Sequence, residues 1–376
     1  MSPSPVSFTA ADHEFMARAL ELAARGLHTT TPNPRVGCVI VRDGRIVGEG
    51  WHERAGEPHA EVHALRAAGA AARGADVYVT LEPCAHHGRT PPCADALIAG
   101  GVRRVVAAMG DPDPRTDGGG LEKLRAAGIE VACGLLEAEA RELNIGFVSR
   151  LSRGRPWLRA KIAASLDGRT ALADGQSQWI TGPEARADGQ RWRARACAIL
   201  SGSGTVLADD PQLNVRLGAV EGGAARQPLK VIVDSALQTP PGARLFDSGI
   251  TLIACAEADP ARAAALAARG AEILALPAAD GRVDLPALLA ELARRGINEV
   301  HVEAGRVLTG ALIAAGLVDE LLIYLAPCLL GDSARGMFAL PPLASLAQRQ
   351  MLAIRDLRSV GSDIRVIARC VAAAAS

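Results

Sequence analysis

Residues 59–93 read HAEVHALRAAGAAARGADVYVTLEPCAHHGRTPPC. The stretch opens as an Ala-rich helix, His59 to Ala72. It then enters Val77-Tyr-Val-Thr-Leu81, an apolar run of buried-strand type. A second helix, Cys93 to Ala99, follows Pro91 and Pro92, which suit a helix start. Helix, strand and helix in close succession point to an α/β layer fold. The flanks agree. Residues 1–10 are a loose Ser/Pro-rich tail. From Asp12, the apolar residues Phe15, Met16, Ala19, Leu20, Leu22 and Ala23 recur at helical spacing, and Gly26 fits the stop. Cys38–Val41 and Ile46–Glu49 are strands joined by the turn Arg42-Asp43-Gly44-Arg45. Val102–Met109 is a strand, Asp111–Gly120 a Pro/Asp/Gly loop, Leu121–Ala127 a helix and Ile129–Cys133 a strand.

The stretch Arg150–Pro156 is basic, carries Gly and Pro, and shows no periodicity. It marks a boundary between a domain at 1–149 and another at 150–376. The second domain repeats the α/β alternation. Strands are expected at Trp157–Ala164, Ala198–Ser201, Leu229–Val233, Ile250–Cys255, Glu299–Glu303 and Leu321–Ala326. Helices are expected at Pro183–Ala196, Ala261–Ala268, Leu285–Arg295 and Gly310–Ala315. Gly218–Gln227 reads as a solvent loop.

Composition removes several function classes. The chain has 376 residues, with 41 Lys+Arg against 41 Asp+Glu. A protein built to ride a phosphate backbone carries a basic footprint, so nucleic acid is not expected as a partner. Aromatic residues are only 3%, too few for a base-stacking surface. No apolar run reaches the roughly 18 residues of a membrane span, and no secretory leader is evident. The 8 cysteines are dispersed, which suits a reducing compartment and a cytoplasmic enzyme.

His59, Cys84 and Cys93 carry the first chemistry. One imidazole and two thiolates suit zinc, and three protein ligands leave the fourth tetrahedral position for water. Bound zinc brings the pKa of its water toward neutrality. Glu61, two residues from His59, is placed to move protons without ligating. H-x-E followed by P-C and a second Cys is the arrangement of zinc nucleobase deaminases, which release ammonia from an amino-bearing ring carbon. The two cysteines here are separated by a loop rather than by two residues. His86 and His87 within that loop are competing ligands, line the pocket or face solvent, and the last two are preferred because three ligands already suffice. A zinc-stabilised scaffold without catalysis is disfavoured by the open position and by Glu61.

The second half lacks a dinucleotide-binding fingerprint: Gly202-Ser-Gly204 follows a strand, but position 207 is Leu. Gly305–Gly310 follows a strand and opens a helix. It is either a plain strand–helix turn or a place where helix-start amides hold a phosphate.

Taken together, Thr31–Gly37, His59–His63 and Pro83–Cys93 resemble the bifunctional riboflavin-biosynthesis deaminase/reductase family. So do Lys161–Thr170, Ser177–Thr181, Thr205–Pro211, Val233–Ser235 and Val302–Gly305. The resemblance runs from about Asp12 to near the C-terminus. It implies an N-terminal cytidine-deaminase-like α/β/α domain followed by a dihydrofolate-reductase-like α/β domain. It also implies zinc deamination of a diaminopyrimidinone ribosylamine phosphate, then NADPH reduction of the ribosyl group to a ribityl chain.

By the same resemblance, Asn33 contacts the deaminase substrate. NADPH is met by Ala163, Trp179, Thr205, Asp209, Ser235 and the turn Gly305, Arg306, Val307, Leu308, Thr309, Gly310 and Ala311. Ser177, Arg193, Leu213, Arg216 and Glu303 meet the reductase substrate. Guanidinium forks at Arg193 and Arg216 suit a ribose phosphate, and Glu303 suits pyrimidine N–H groups. Lys161 is a proton donor, a charge stabiliser or a solvent-facing strand-edge lysine. Family habit suggests a homo-oligomer, dimer or tetramer.

Overall fold

The computed structural model describes residues 7–85, 92–113, 118–220, 223–224 and 226–371. Two compact units emerge, one comprising Met1–Gly154 and Ala219–Ala225, the other Arg155–Gly218 and Arg226–Ser376.

The first unit is a five-stranded sheet covered on both faces. Its helix α1 (Ala10–Arg25) starts at Thr9, whose hydroxyl and backbone amide exchange hydrogen bonds with Asp12 in a capping box. Gly26 ends it, and the stripe Met16, Ala19, Leu22 and Ala23 is buried. Strands β1 (Gly37–Arg42) and β2 (Arg45–Trp51) form a hairpin. Asp43 and Gly44, both at positive φ, make its tight turn. Helix α2 (Ala60–Ala68), strand β3 (Asp76–Val79), helix α3 (Cys93–Gly100), strand β4 (Arg104–Ala107), helix α4 (Gly119–Ala126) and strand β5 (Glu130–Cys133) follow. The sheet order is β2-β1-β3-β4-β5, antiparallel around β1 and parallel from β3 to β5. Residues alternate between its two faces. Cys38 and Ile40 pack with α2, α3 and α4, while Val39 and Val41 pack with α1 and two further helices.

Those two helices are α5 (Glu137–Leu143) and α6 (Ile145–Arg153), and α6 runs into Arg150–Pro156, where the sequence suggested a connection without periodicity. The apolar face of α6 is only Phe147, Val148 and Leu151, with arginines between, so a short window over 150–156 hides its period. Strands β3 and β4 are shorter than their apolar runs. The residues beyond them, such as Leu81, Ala108 and Met109, stay buried as loop rather than ladder.

The second unit carries β6 (Trp157–Ser165), β7 (Arg169–Ala171), α7 (Pro183–Arg195), β8 (Ala198–Gly202) and α8 (Ser203–Asp209); β9 (Ala219–Val220) and β10 (Gly223–Ala224), which come next in the chain, belong to the first. Next come β11 (Leu229–Val233), β12 (Thr251–Cys255), α9 (Pro260–Ala267), β13 (Ala271–Ala275), α10 (Leu285–Arg294), β14 (Glu299–Val302), α11 (Arg306–Ala314) and β15 (Glu320–Ala326). The last strands are β16 (Arg335–Gly336), β17 (Leu352–Val360) and β18 (Asp363–Cys370). Short strands β9 and β10 pair within the segment expected to be a loop.

Nine strands make one sheet in the order β13-β12-β11-β8-β14-β6-β15-β18-β17. It is parallel up to β15, and β18 and β17 add antiparallel at one edge. Leu158, Ala160 and Ile162 of β6 meet Leu288 and Leu292 of α10 and Leu312 of α11 in the main core. On the strand's other side Arg159 is buried against Glu299 (3.2 Å) and Glu320 (2.5 Å), with its guanidinium 4.4 Å from the Trp192 ring.

Candidate active sites

The deaminase-type centre is built by three neighbouring elements of the first unit. His59 is the N-cap of α2, Cys93 is the first residue of α3, and Cys84 lies in the loop after β3. Helix α2 lies directly on β2. A Cβ at Gly50 would overlap the Ala60 carbonyl oxygen and sit 2.6 Å from Ala64 N, so only glycine permits this approach.

The His59 Nδ1 lies 3.2 Å from the Cys93 Sγ and 3.7 Å from the Cys84 Sγ. All three ligand atoms fall within 4.8 Å of one another. A tetrahedral zinc with ordinary Zn–N and Zn–S lengths has N···S edges of about 3.6 Å, so the donor set fits. The Cys93 backbone N–H donates to the Cys84 Sγ (3.3 Å) at the helix start. Hydrogen bonding from Cys93 and His59 holds the Cys84 thiol well below its ordinary pKa, despite burial.

Glu61, in the first turn of α2, is 3% exposed and its Oε2 has no hydrogen-bond partner among the described residues. Burial pushes its carboxyl pKa up, the direction a general acid/base needs. Asn33 is joined to this group through a residue no motif marks. His52 presents Nδ1 to the Pro58 carbonyl (3.1 Å), which makes Nδ1 the protonated nitrogen. Its Nε2 therefore accepts from the Asn33 Nδ2 (3.0 Å). The His52 ring stands edge-on to His59 at 5.3 Å, and burial pushes its pKa down to about 4. His86 and His87 lie outside the described residues.

The second unit gathers its residues at the carboxyl ends of parallel strands, where open α/β sheets bind ligands. Gly202 and Gly305 close two adjacent strand–helix turns, from β8 into α8 and from β14 into α11. A Cβ at Gly202 would lie 3.2 Å from the Leu308 side chain, and one at Gly305 would lie 3.9 Å from the Thr205 hydroxyl. The two glycine turns, separate in sequence, are thus one surface, and it includes Thr205 and Gly305–Leu308. Helix α11 starts at Arg306, four residues before the start expected from the sequence. Ser235 follows β11 and Asp209 ends α8, where burial raises its carboxyl pKa.

Arg193 of α7 forms a two-pronged ion pair with Glu303, its Nη2 donating to Oε2 at 2.6 Å. Its Nη1 donates to the Asn214 carbonyl (3.0 Å). Arg216 donates from Nη1 to the Asn214 side chain (3.0 Å), and the neighbouring Leu213 is buried at φ 47°. Burial alone would raise the Glu303 pKa, but the Arg193 charge outweighs it and holds the carboxylate well below its ordinary value. Lys161 is no edge lysine: β6 lies between β14 and β15, and Lys161 sits opposite Leu322. Burial lowers its pKa against the opposing pull of Glu303. Ala163 is half-buried two residues along the same strand. Ser177 and Trp179 lie between β7 and α7. Trp179 is 71% exposed, with the Arg186 guanidinium 4.7 Å from its ring.

Sequence reasoning missed His301. It is buried on β14 two residues before Glu303, and its Nε2 lies 3.3 Å from the Glu303 Oε1. The period-2 spacing was the available signal. Asn214, which joins Arg193 to Arg216, carried none.

Comparison with known proteins identifies both domains. Residues 9–109 match the cytidine and deoxycytidylate deaminase zinc-binding region, and residues 156–365 match the RibD C-terminal domain. The riboflavin biosynthesis protein RibD of Escherichia coli K12 is 52% identical over 362 residues, covering 94% of this chain and 98% of that protein. A solved structure of Acinetobacter baumannii RibD superposes with a TM-score of 0.89 at 44% identity, covering 96% of this chain and 99% of that one. A diaminohydroxyphosphoribosylaminopyrimidine deaminase/5-amino-6-(5-phosphoribosylamino)uracil reductase from Thermotoga maritima superposes with a TM-score of 0.84 at 33% identity, covering 96% and 99%. The chain therefore belongs to the RibD family of bifunctional riboflavin-biosynthesis enzymes, which join a zinc-binding deaminase to a reductase.

Proposed function

We propose that the unit ending at Gly154 removes the amino group of 2,5-diamino-6-(5-phosphoribosylamino)pyrimidin-4(3H)-one. The unit from Arg155 then reduces the ribosyl group, giving 5-amino-6-(5-phosphoribitylamino)uracil. This division falls a few residues beyond the 149/150 boundary suggested by the sequence, because α6 runs through that point. The observation that carries the reading is the His59, Cys84 and Cys93 donor set beside the buried Glu61 carboxyl, whose Oε2 has no hydrogen-bond partner among the described residues.

His59, Cys84 and Cys93 would hold zinc, which when bound supplies an acidified water. Glu61 Oε2 takes a proton and returns it to the departing ammonia. Its raised pKa lets one carboxyl serve both steps. With the amide nitrogen of Asn33 given to His52, its oxygen would accept a substrate N–H. In the second unit NADPH supplies the hydride. The turn Gly305–Ala311 offers helix-start amides to its phosphates, and Thr205, Asp209, Ser235, Ala163 and Trp179 complete its site. Ser177, Leu213, Arg216 and the Arg193–Glu303 pair hold the substrate. Lys161, with its lowered pKa, stands as proton donor or charge stabiliser beside them.

Among the described residues no helix is long and apolar enough to cross a membrane. The substrate is a small molecule, and we place the enzyme in the cytoplasm, without a nucleic-acid partner. Strand β17 is the sheet edge and exposes Ile354 (66%) and Leu357 (64%). An apolar open edge invites pairing, which supports a homo-oligomer, dimer or tetramer.

His59→Ala and Cys84→Ser test the assignment. Both are expected to lose zinc and ammonia release while the supplied deaminated intermediate is still reduced with NADPH. Deamination at the wild-type rate in either variant would sink it.

A further inference from the structure

Two residues before Cys84 stands a carboxyl that the chemistry above does not use. Glu82 is 3% exposed. Four backbone N–H groups converge on it. Gly120 (2.9 Å) and Leu121 (3.2 Å) donate to Oε1, and Gly118 (3.1 Å) and Asp111 (3.2 Å) donate to Oε2. The Glu82 N–H itself donates to the Met109 carbonyl (2.9 Å). Gly120 and Leu121 belong to the first turn of α4, where N–H groups have no partner within the helix. Negative charge at that end also suits the helix dipole. The start of α4 in turn lies on the ligand-bearing segment. A Cβ at Gly120 would overlap the Pro83 carbonyl oxygen, and one at Gly119 would lie 3.8 Å from the Ala85 Cβ. Pro83, Cys84 and Ala85 are thus held between the hydrogen bonds of Glu82 and the end of α4.

We propose that Glu82 is a positioning residue of the deaminase centre: its carboxylate gathers these four N–H groups and so sets Cys84 at ligand distance from His59 and Cys93. The proposal rests on Cys84 being a zinc ligand. Four donors need an acceptor with lone pairs on both oxygens, and a carboxylate provides it. Glutamine keeps the shape but turns an NH₂ group toward two N–H donors, so here it is not conservative. Outer partners of metal ligands change affinity by about 10–100-fold when lost.

The test uses the full chain as wild type, Glu82→Gln, Gly120→Ala and Cys84→Ser. Zinc affinity is read by competition with a chromophoric chelator, the visible spectrum is recorded after cobalt substitution, and folding is checked by circular dichroism. Folded Glu82→Gln is expected to bind zinc about 10–100-fold more weakly, with cobalt bands shifted from those of the wild type. Gly120→Ala, which presses on Pro83 from the helix side, is expected to act in the same direction. It decides the question by the same readouts if Glu82→Gln does not fold. Wild-type zinc affinity and cobalt bands in folded Glu82→Gln, with Cys84→Ser impaired, overturn the role of Glu82 alone. Undiminished zinc affinity in Cys84→Ser overturns the ligand assignment beneath it.

Discussion

Replacing Glu61 by Gln separates proton transfer from every other property of the deaminase centre. The side chain is 3% exposed and its Oε2 has no partner among the described residues, so an amide of the same shape breaks none of their hydrogen bonds at that atom. It also removes the cost of a buried carboxylate, the cause of the raised pKa. Folding stability should therefore stay level or rise slightly. Zinc content should be unchanged, because Glu61 is not among the three clustered donors. The loss falls on catalysis. General acid–base transfer contributes about 10²–10⁴-fold, which at about 1.36 kcal/mol per decade is roughly 2.7–5.4 kcal/mol of barrier. The assay is ammonia release on zinc-replete protein, with kcat and KM measured separately. We expect kcat to fall by that factor, KM to move little, and reduction of the supplied deaminated intermediate to continue. A variant that keeps more than roughly a tenth of wild-type kcat, below the smallest expected loss, would refute the reasoning.

Gly50→Ala should press α2 off the sheet, since its Cβ would overlap the Ala60 carbonyl oxygen; a cost of about 1–3 kcal/mol is expected, with reduced zinc occupancy, read by denaturant unfolding and metal analysis. Arg159→Ala should cost about 1–3 kcal/mol because it takes one of two arginines from each of the buried Glu299 and Glu320, which keep Arg195 and Arg369, and Arg159→Met should cost less in the same unfolding assay. The Asp188 carboxyl is destabilised by burial, but hydrogen bonds from Tyr324 (2.6 Å) and Arg365 (2.8 Å) outweigh this and hold its pKa below 3.8. Its contribution is therefore present above pH 3.8 and lost as pH falls through the lower folded-state value; Asp188→Asn should be destabilised at neutral pH and show a shallower loss of stability on acidification. Arg193→Lys, unable to form the two-pronged pair with Glu303, should raise the reductase KM and leave ammonia release unchanged.

What could be read in the sequence follows from where each determinant is encoded. The candidate ligands His59, Cys84 and Cys93 are side chains suited to zinc and stand in a distinctive order with Glu61, so the sequence alone could propose them. Helix α1 was legible because its cap, stripe and stop are all local. Residues acting through backbone groups were not legible. His52 depends on the Pro58 carbonyl, and Glu82 on N–H groups far along the chain. Helix α6 was hidden because Arg150 and Arg153 interrupt its short apolar stripe. Strand β17 was hidden because a bulge between Ile354 and Asp356 breaks its alternation and its apolar side chains point outward. The proximity of the two glycine turns at Gly202 and Gly305 is set by sheet order, with β8 beside β14, which no local pattern reports.

The most direct test of the two-step account is the product mass obtained from the diaminopyrimidinone ribosylamine phosphate with zinc-loaded protein, without and with NADPH. The account requires the deaminated ribosylamine alone in the first case and a product heavier by two hydrogens in the second. Reduction of a substrate that still carries its amino group, or no mass change when NADPH is added, would contradict it.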